Sequence, residues 1–381
     1  MPTFRGSMRT RVLLGVLAIV SLVALFTTRV QRKMSDFEVY WTAGARALAA
    51  QPLYRIEDGH YQFKYLPAFA LFAAPLAMLP LPVAKAAWFA VSSALMLVLL
   101  WLSLRLLPGI HSPPALLLAG TFIAMAKFYA HELVLGQVNL LFGALAVLAI
   151  VWMRRGREAG AGALFAFAVI VKPYGAIFAP WLATRRNRTA FAAMAMGLAL
   201  LLLLPAVRYG WRGNLQLLGD WWRTVTTTTG PNLTNPDNIS LGAMFAKWMG
   251  PGQPATTFAA LVAAALLALA GVVIAGRGQL PAPEALEGSL LLLLIPLLSP
   301  QGWDYVLLIS TPAIMLLLDT LPLLPRGLAF VTGAAIAAVA LSIYDFIGRD
   351  AYSAFMQMSI VTVCAVIEAA ALVTLRFRRV A

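Results

Sequence analysis

Residues 83–106 read VAKAAWFAVSSALMLVLLWLSLRL, an apolar run long enough to cross a bilayer as one helix. Runs of similar character recur to the C-terminus, and the chain is 61% hydrophobic but only 12% charged. Soluble domains are typically about 45–50% apolar and about 25% charged. Because a backbone inside hydrocarbon must satisfy its own hydrogen bonds, repeated runs of this kind predict an all-α, polytopic membrane protein.

Hydropathy and the distribution of Lys and Arg predict a single membrane domain, residues 1–381, with about 12 membrane helices and both termini on the cytoplasmic side. The predicted spans lie near residues 11–30, 83–106, 114–131, 139–153, 159–183 (a hairpin of two short helices), 189–207, 256–275, 285–298, 304–321, 327–345 and 352–375. Two segments are predicted to face outward. These are residues 31–82, which contain juxtamembrane helices, and the long loop 208–255.

Two apolar segments admit two interpretations. Residues 66–80 are short for a span and are interrupted by prolines, which favours a juxtamembrane or re-entrant helix. Residues 159–183 have arginine clusters at both ends, and a hairpin broken at Lys172-Pro173 keeps both clusters inside, because proline disfavours helix in the preceding residue. The competing interpretation makes each segment one full span and moves residues 131–139 to the inside.

The charge and the cysteine content exclude several classes of function. The net charge is +14, but the basic residues form small clusters between spans, which is typical of cytoplasmic anchoring and argues against nucleic-acid binding. Cys364 is the only cysteine, so disulfides within the chain and cysteine-rich metal sites are excluded. The histidines lack the spacing of a zinc site, and we expect neither a bound metal nor a cofactor.

Unusual polar residues concentrate on the predicted outer face. The stretch 35–41 reads SDFEVYW and directly follows the first apolar run, so the carboxylate of Asp36 lies at the membrane–water boundary. The outer face also carries Glu38, His60, Lys64, His131, Glu132, Gln137, Asn139, Asn238, Ser240 and Asp304. A single acid in a loop is usually solvated, but this set predicts a cavity with Asp36 at its centre. Asp36 could instead cap the helix that follows it.

Lys172 lies at the apex of the predicted hairpin. A charge at bilayer depth costs roughly 2.5–3.5 kcal/mol on insertion scales, so it usually faces a cavity or an ionic partner. Two interpretations stay open at this point: either Lys172 meets an anionic group in a cavity, or it has a structural role.

Short motifs occur in a fixed order along most of the chain. They are Asp36-Phe37 with Tyr40, Leu53-Tyr54, Phe63-x-Tyr65-x-Pro67, Leu79-Pro80, Gly136-Gln137-x-Asn139, Lys172, Asn238-x-Ser240-Leu241 and Ser299-Pro300-x-x-Trp303. In this order they resemble glycosyltransferase family 87 of the GT-C superfamily, which comprises polyprenol-phosphate-mannose-dependent mannosyltransferases. One position departs from the family pattern, which commonly has histidine after the final tryptophan. Here Asp304 follows, so no histidine role is carried over.

The resemblance implies a GT-C type bundle and an inverting transfer on the outer face. A sugar, with mannose expected, moves from a polyprenyl-phosphate donor to a hydroxyl of a glycolipid or glycan acceptor, in contact with membrane lipids of a bacterial plasma membrane. The departing lipid phosphate is already a good anion, so one base suffices and no second carboxylic acid is needed.

The resemblance also implies roles for individual residues. Asp36 is expected to be the general base. Cations that stabilise the departing phosphate are expected to be Lys172, Lys64 and His131. The sugar or acceptor is expected to contact Tyr40, Gln137, Asn139, Asn238, Ser240, Trp303 and Asp304. The identity of the acceptor and of the sugar stays open.

Two other classes of function remain as alternatives. A lipid or solute transporter often has paired broken helices in two halves, whereas here only 159–183 reads as broken. A structural membrane subunit would not need the outer acids and amides.

Overall fold

A computed structural model describes residues 20–276 and 282–378. Within these ranges the chain folds into helices, turns and one isolated antiparallel bridge between Asn238 and Trp303. The predicted all-α class is confirmed. The prediction that residues 1–381 form one domain stays a prediction.

The helices are introduced here in chain order. They are α1 (Val20–Val30), α2 (Ser35–Leu48), α3 (Pro67–Ala77), α4 (Leu81–Leu106), α5 (Pro114–Leu135), α6 (Asn139–Arg154), α7 (Glu158–Val171), α8 (Phe178–Thr184), α9 (Arg188–Leu203), α10 (Ala206–Thr229), α11 (Leu241–Met249), α12 (Gln253–Ala275), α13 (Pro283–Leu298), α14 (Thr311–Thr320), α15 (Arg326–Leu341), α16 (Tyr344–Ile347), α17 (Arg349–Gln357) and α18 (Ile360–Phe377). Shorter 3₁₀ turns occupy Ile56–Tyr61, Pro173–Ile177 and Asp304–Ser310.

In the described ranges, five helices are long and apolar enough to cross a membrane. They are α4, α5, α12, α18 and the combined helix Asp304–Leu323 that contains α14. A sixth results if α9 and α10, which meet at 92°, count as one span. The apolar helices α1, α3, α6, α7 and α15 are shorter, so the predicted number of about 12 membrane helices is not confirmed. Residues 11–19 of the first predicted span lie outside the described residues.

The segment 159–183 reverses direction at Lys172, as the hairpin interpretation predicts. Helix α7 ends at Val171, and the returning chain packs against it: the Phe165 and Phe178 rings stack with centroids 4.4 Å apart. Helix α9 then runs parallel to α7, because Gly162 lies against Ala190 and Gly197 lies further along against Ala166. Both ends of the hairpin are therefore at the same end of the bundle.

The helical bundle has two ends, which are named here for residues that they carry. At the first, here named the arginine end, the described helix termini carry Arg105, Arg154, Arg155, Arg157, Arg185, Arg186, Arg188, Arg326, Arg376 and Arg378. Contacts join these termini. Arg154 donates to the carbonyl of Leu106 at 2.5 Å, and Arg378 donates to that of Leu323 at 2.5 Å. The opposite end, here named the Asp36 end, holds α2, α3, α10 and α11, together with the ends of α5, α7 and α13.

The structure corrects several predicted boundaries. Helix α5 continues to Leu135, so His131 and Glu132 lie on a helix and not in a turn. The segment 208–255 is largely helical, because α10 and α11 occupy most of it. The last span begins at Ile360 and not near 352, because the positive φ of Ser359 (57°) separates α17 from α18.

The amphipathic helix predicted after the first span is α2, and it is held close to α3. A Cβ on Gly44 would lie 2.8 Å from the backbone of Ala73, so only glycine allows this approach. Helix α3 is short, as predicted for the segment 66–80. This packing fixes the beginning of α2, where Asp36 lies, against the ends of the longer helices.

Candidate active site

A cavity of about 1060 Å³ lies at the Asp36 end of the bundle. Its walls come from the beginning of α2, the segment 60–65, the end of α5, the hairpin turn after α7, the second half of α10, and the segment 295–306. Most of the predicted site residues line it, namely Asp36, Tyr40, Lys64, His131, Gln137, Lys172 and Trp303. These residues are far apart in sequence, so helix packing brings them together.

A hydrogen-bonded network joins Asp36 to Lys172. Gln137 donates from Nε2 to Oδ2 of Asp36 at 2.7 Å, and its Oε1 accepts from the hydroxyls of Tyr40 at 2.8 Å and Tyr65 at 3.2 Å. Lys172 donates from Nζ to the Tyr65 hydroxyl at 3.2 Å and lies 4.8 Å from the centre of that ring. The network holds a carboxylate and an ammonium on one cavity surface.

The position of Gln137 depends on Gly136. Gly136 ends α5 in the left-handed conformation with φ of 69°, which glycine adopts without strain. A Cβ at this position would lie 2.7 Å from Cβ of Phe37 and 2.9 Å from Cε of Met34. The indole of Trp88 donates to the Gly136 carbonyl at 2.9 Å. The glycine of the Gly-Gln-x-Asn motif therefore lets α5 end against α2, directly beside Asp36.

Burial changes the acid–base properties of the cavity groups. The pKa of Asp36 is raised from its ordinary value because burial disfavours the carboxylate, and this outweighs the opposing effects of Gln137 and Lys172. The pKa of Lys64 is lowered by burial, and the charge of Asp36 opposes that shift. The side of the cavity formed by Lys64, Tyr65 and Lys172 is here named the lysine wall.

The other side of the cavity is formed by Asn235, Asp237, Gln301 and Trp303, here named the Asp237 wall. Two segments of the chain form this wall, and they are bonded to each other: the backbone N–H of Asp304 donates to the carbonyl of Asp237 at 2.9 Å. His131 stands beside this wall, with Nδ1 3.3 Å from Oδ1 of Asp304.

A comparison with known protein families identifies the family of the chain. The sequence model of one family, described as glycosyltransferase family 87, matches residues 63–300. The chain belongs to glycosyltransferase family 87. It is therefore a glycosyltransferase, and its apolar helices indicate a multi-pass membrane protein. Searches of curated proteins and of solved structures found no match. Asp36, Tyr40 and Trp303 lie outside the matched range, and their position in the cavity lining alone links them to the site.

Four predicted site residues of this family 87 chain do not line the cavity. Asn238 donates to the carbonyl of Pro300 at 3.1 Å, and the hydroxyl of Ser240 caps α11 by accepting from the N–H of Ala243. The third residue, Asp304, is buried, and its Oδ1 accepts from the N–H of Tyr305 at 2.7 Å. These three residues hold the segments that carry the Asp237 wall, and the structure does not bring their side chains to the substrate space.

Asn139 is the fourth such residue, and it is fully buried. Its Nδ2 donates to Glu132 at 2.8 Å, and its Oδ1 accepts from the hydroxyl of Tyr174 at 2.7 Å. Glu132 also accepts from the N–H of Leu140 at 3.0 Å, so it satisfies the first turn of α6. Asn139 and Glu132 thus form a buried support behind Gln137.

Tyr65 and Asp237 are among the cavity residues that sequence reasoning missed. Tyr65 links Gln137 to Lys172, and its place in the Phe-x-Tyr-x-Pro motif was the available signal. Asp237 had no comparable signal, because an acid in a polar segment reads as solvated. In the described residues no group of three or more His, Cys, Asp or Glu is placed to hold a metal ion. The prediction that no metal or cofactor takes part stays a prediction.

Proposed function

We propose that this chain is an inverting glycosyltransferase that uses a polyprenyl-phosphate sugar, with mannose the expected sugar, and a hydroxyl acceptor. One observation carries the proposal: the carboxylate of Asp36 and the ammonium groups of the lysine wall face the same cavity. A displacement at an anomeric carbon needs a base for the attacking hydroxyl and a cation for the departing phosphate. Both are present, and Gln137 and Tyr65 connect them.

The proposed reaction is a single displacement. The acceptor oxygen forms a bond to the anomeric carbon while the bond from that carbon to the phosphate oxygen breaks. Asp36 takes the hydroxyl proton, and the polyprenyl phosphate leaves with the electron pair. The raised pKa of Asp36 brings the base closer to neutral pH, where proton transfer is more effective. Since phosphate leaves as an anion, no second acid is required.

The donor phosphate is assigned to Lys172 and Lys64. Both line the cavity on the side of Tyr65, and the charges that act on Lys172 come from Glu132, Asp36 and Lys64. His131 was a third expected phosphate ligand. Its contact with Asp304 favours a place beside the Asp237 wall instead. Tyr40 and Gln137 are proposed to contact the transferred sugar.

Access from the lipid supports a lipid-linked donor. Helix α10 turns by 92° from α9, and its second half lines the cavity. After a kink at Gly210, Trp211, Leu215 and Trp222 follow one another at helical spacing on its exposed surface. An apolar stripe with tryptophans suits the headgroup region of a bilayer. We therefore propose that α10 lies along the membrane surface, where a polyprenyl chain can remain in the lipid while its phosphate reaches the lysines.

The orientation follows from the charges at the two ends. Short cytoplasmic connections between membrane helices are enriched in Lys and Arg. At the arginine end, residues 154–157 and 185–188 carry three arginines each, whereas the short connections 136–138 and 299–303 at the Asp36 end carry no Lys or Arg. We propose that the arginine end faces the cytoplasm and that the cavity faces the outer side of a bacterial plasma membrane.

The donor is tested with the purified chain in lipid nanodiscs. Polyprenyl-phosphate [³H]mannose, polyprenyl-phosphate [³H]glucose and GDP-[³H]mannose are each offered with a bacterial lipid extract as acceptor. We expect label to enter product from a polyprenyl-phosphate donor and not from GDP-mannose, and we expect the anomeric configuration to be inverted. Transfer from GDP-mannose alone, or retention of configuration, would refute the proposal.

A further inference from the structure

Asp237 combines a fixed backbone with a free carboxylate. Its carbonyl accepts from the N–H of Asp304, and Lys247 donates from Nζ to the flanking carbonyls of Pro236 and Asn238 at 2.8 Å each. The side chain lines the cavity, and within the described residues its carboxylate has neither a hydrogen bond nor an ion pair. A half-buried carboxylate held in this way takes its hydrogen-bond donors from water or from a ligand.

The Asp237 wall is also held rigidly around Trp303. The backbones of Trp303 and Asn238 pair as an antiparallel bridge, and the N–H of Ile239 donates to the carbonyl of Gly302 at 2.7 Å. Gln301 donates from Nε2 to the hydroxyl of Thr229 on α10 at 3.1 Å. An indole, an amide and a carboxylate on one fixed surface are the groups that bind a sugar through its apolar face and its hydroxyls.

Asp36 lies between the two walls. Gln137, which donates to Asp36, accepts from Tyr65 on the lysine wall. Its Nε2 also lies 3.4 Å from the hydroxyl of Tyr305, whose ring centroid is 5.1 Å from that of His131 beside the Asp237 wall. Asp237 is affected by His131 and Asp304. The order across the cavity is therefore the lysine wall, the base, and the Asp237 wall.

The stereochemistry of the proposed reaction relates this order of groups to the positions of the donor and the acceptor. In a direct displacement the attacking oxygen approaches the anomeric carbon from the side opposite to the leaving group, and catalysis depends on holding that geometry. If the phosphate leaves at the lysine wall, the acceptor enters from the other side of the transferred sugar. That side is the Asp237 wall.

We infer that the Asp237 wall is the acceptor subsite and that it selects an uncharged sugar, whose hydroxyls donate hydrogen bonds to Asp237 and whose apolar face packs on Trp303. This inference rests on the proposed function. An acceptor sugar that carries a carboxylate or phosphate at this place is repelled by the unpaired carboxylate of Asp237, because like charges repel more strongly in a cavity than in bulk water.

The kinetic test uses octyl β-glucoside and octyl β-glucuronide, which differ by a neutral and an anionic group at C6. With the full chain in nanodiscs and a polyprenyl-phosphate [³H]mannose donor, we expect kcat/KM to be about tenfold or more higher for the glucoside. Asp237→Asn is expected to raise the KM for the glucoside about tenfold, to leave the donor KM unchanged and to weaken the preference. Asp237→Lys is expected to favour the glucuronide. Asp220→Asn, an acid on α10 outside the cavity lining, is the matched control.

A binding measurement separates this inference from the proposed donor. Equilibrium dialysis of the two radiolabelled octyl glycosides, without any donor, is expected to show preferential binding of the glucoside by the wild type and weaker preference in Asp237→Asn. If no sugar is transferred from the lipid-phosphate donor but the binding preference is found, the donor proposal fails and the subsite remains. Equal binding of the two glycosides, no binding of either, or an unchanged preference in Asp237→Asn overturns the subsite.

Discussion

The acids at the arginine end of the bundle differ in hydrogen bonding from the acids that line the cavity at the Asp36 end. At the arginine end, Glu287 accepts from the indole of Trp181 at 2.6 Å and from Arg185 at 2.9 Å. Asp319 accepts from the backbone N–H groups of His111 and Ser112. Protein groups donate hydrogen bonds to these carboxylates, and such bonds offset the cost of burying a charge.

At the Asp36 end, two carboxylates face open space. Asp36 accepts one hydrogen bond, from Gln137, and Asp237 accepts none within the described residues. Acids that the fold leaves incompletely bonded in a cavity are available to a substrate. Glu287 and Asp319 are buried as well as bonded, whereas Asp36 and Asp237 are half-buried and keep free acceptor capacity towards the cavity. Exposure and bonding together therefore distinguish the acids of the candidate site from these two structural acids.

The largest effect on turnover is expected from the substitution Asp36→Asn, because Asp36 is one of the two cavity acids. Asparagine can still accept the hydrogen bond from Gln137 but cannot take a proton, so we expect kcat to fall about 10²–10⁴-fold without loss of stability. Because the pKa of Asp36 is raised, wild-type kcat/KM should decline as pH falls through a value above the ordinary 3.8, and the variant should lack this decline. Transfer assays over a pH series check this.

The matched control is Glu38→Gln on the same helix, because Glu38 pairs with Lys85 and does not line the cavity. Asp36 lies inside the first turn of α2 and does not cap it, so the capping interpretation is wrong. Near wild-type turnover of Asp36→Asn, with the pH dependence retained, would show that the base lies elsewhere.

The second prediction concerns the lysine wall. Lys172→Ala removes a cation from the departing phosphate, so we expect kcat to fall about 10²-fold and the KM for the lipid-phosphate donor to rise, with the acceptor KM unchanged. Steady-state kinetics with the donor varied measure this. Lys127→Ala is the control, because Lys127 bonds to Ser342 away from the cavity. Unchanged donor kinetics in Lys172→Ala would reassign this lysine to structure.

The third prediction concerns Asp319 at the arginine end, where we expect an acid to support stability and not turnover. Asp319→Ala leaves the N–H groups of His111 and Ser112 without their acceptor, so we expect a loss of about 1–3 kcal/mol in stability. Thermal unfolding in detergent, compared with the exposed control Asp345→Ala, measures the loss. At a temperature where both variants are folded, kcat should equal that of the wild type. A large fall in kcat there would show that the two ends are not functionally distinct.

The smallest effect is expected from cysteines that report orientation. In a Cys364→Ser background, Gly230→Cys at the Asp36 end and Gly109→Cys at the arginine end both introduce a side chain into open space. Neither should alter activity. A membrane-impermeant thiol reagent added to intact cells should label the first and not the second. The reverse pattern would place the cavity in the cytoplasm.

Much of the candidate site could be predicted because its pieces are locally unusual. Asp36 follows an apolar run, Gly136-Gln137 interrupts one, and Lys172 precedes a proline in one. Each therefore stands out against its neighbours. Asn238 and Ser240 stand out equally, but they bond to backbone, and a motif does not reveal whether an amide meets a sugar or a carbonyl.

The helical membrane class and the reversal at Lys172 could be predicted from the sequence, since hydropathy and the effect of proline on the preceding residue are local properties. Only the tertiary structure decided which polar residues share the cavity. Asp36 contacts Gln137 because Gly136 lets α5 end against α2. Lys172 contacts Tyr65 because α7 ends at the Asp36 end of the bundle. Such contacts join distant parts of the chain, and they depend on how complete helices pack, which no local pattern records.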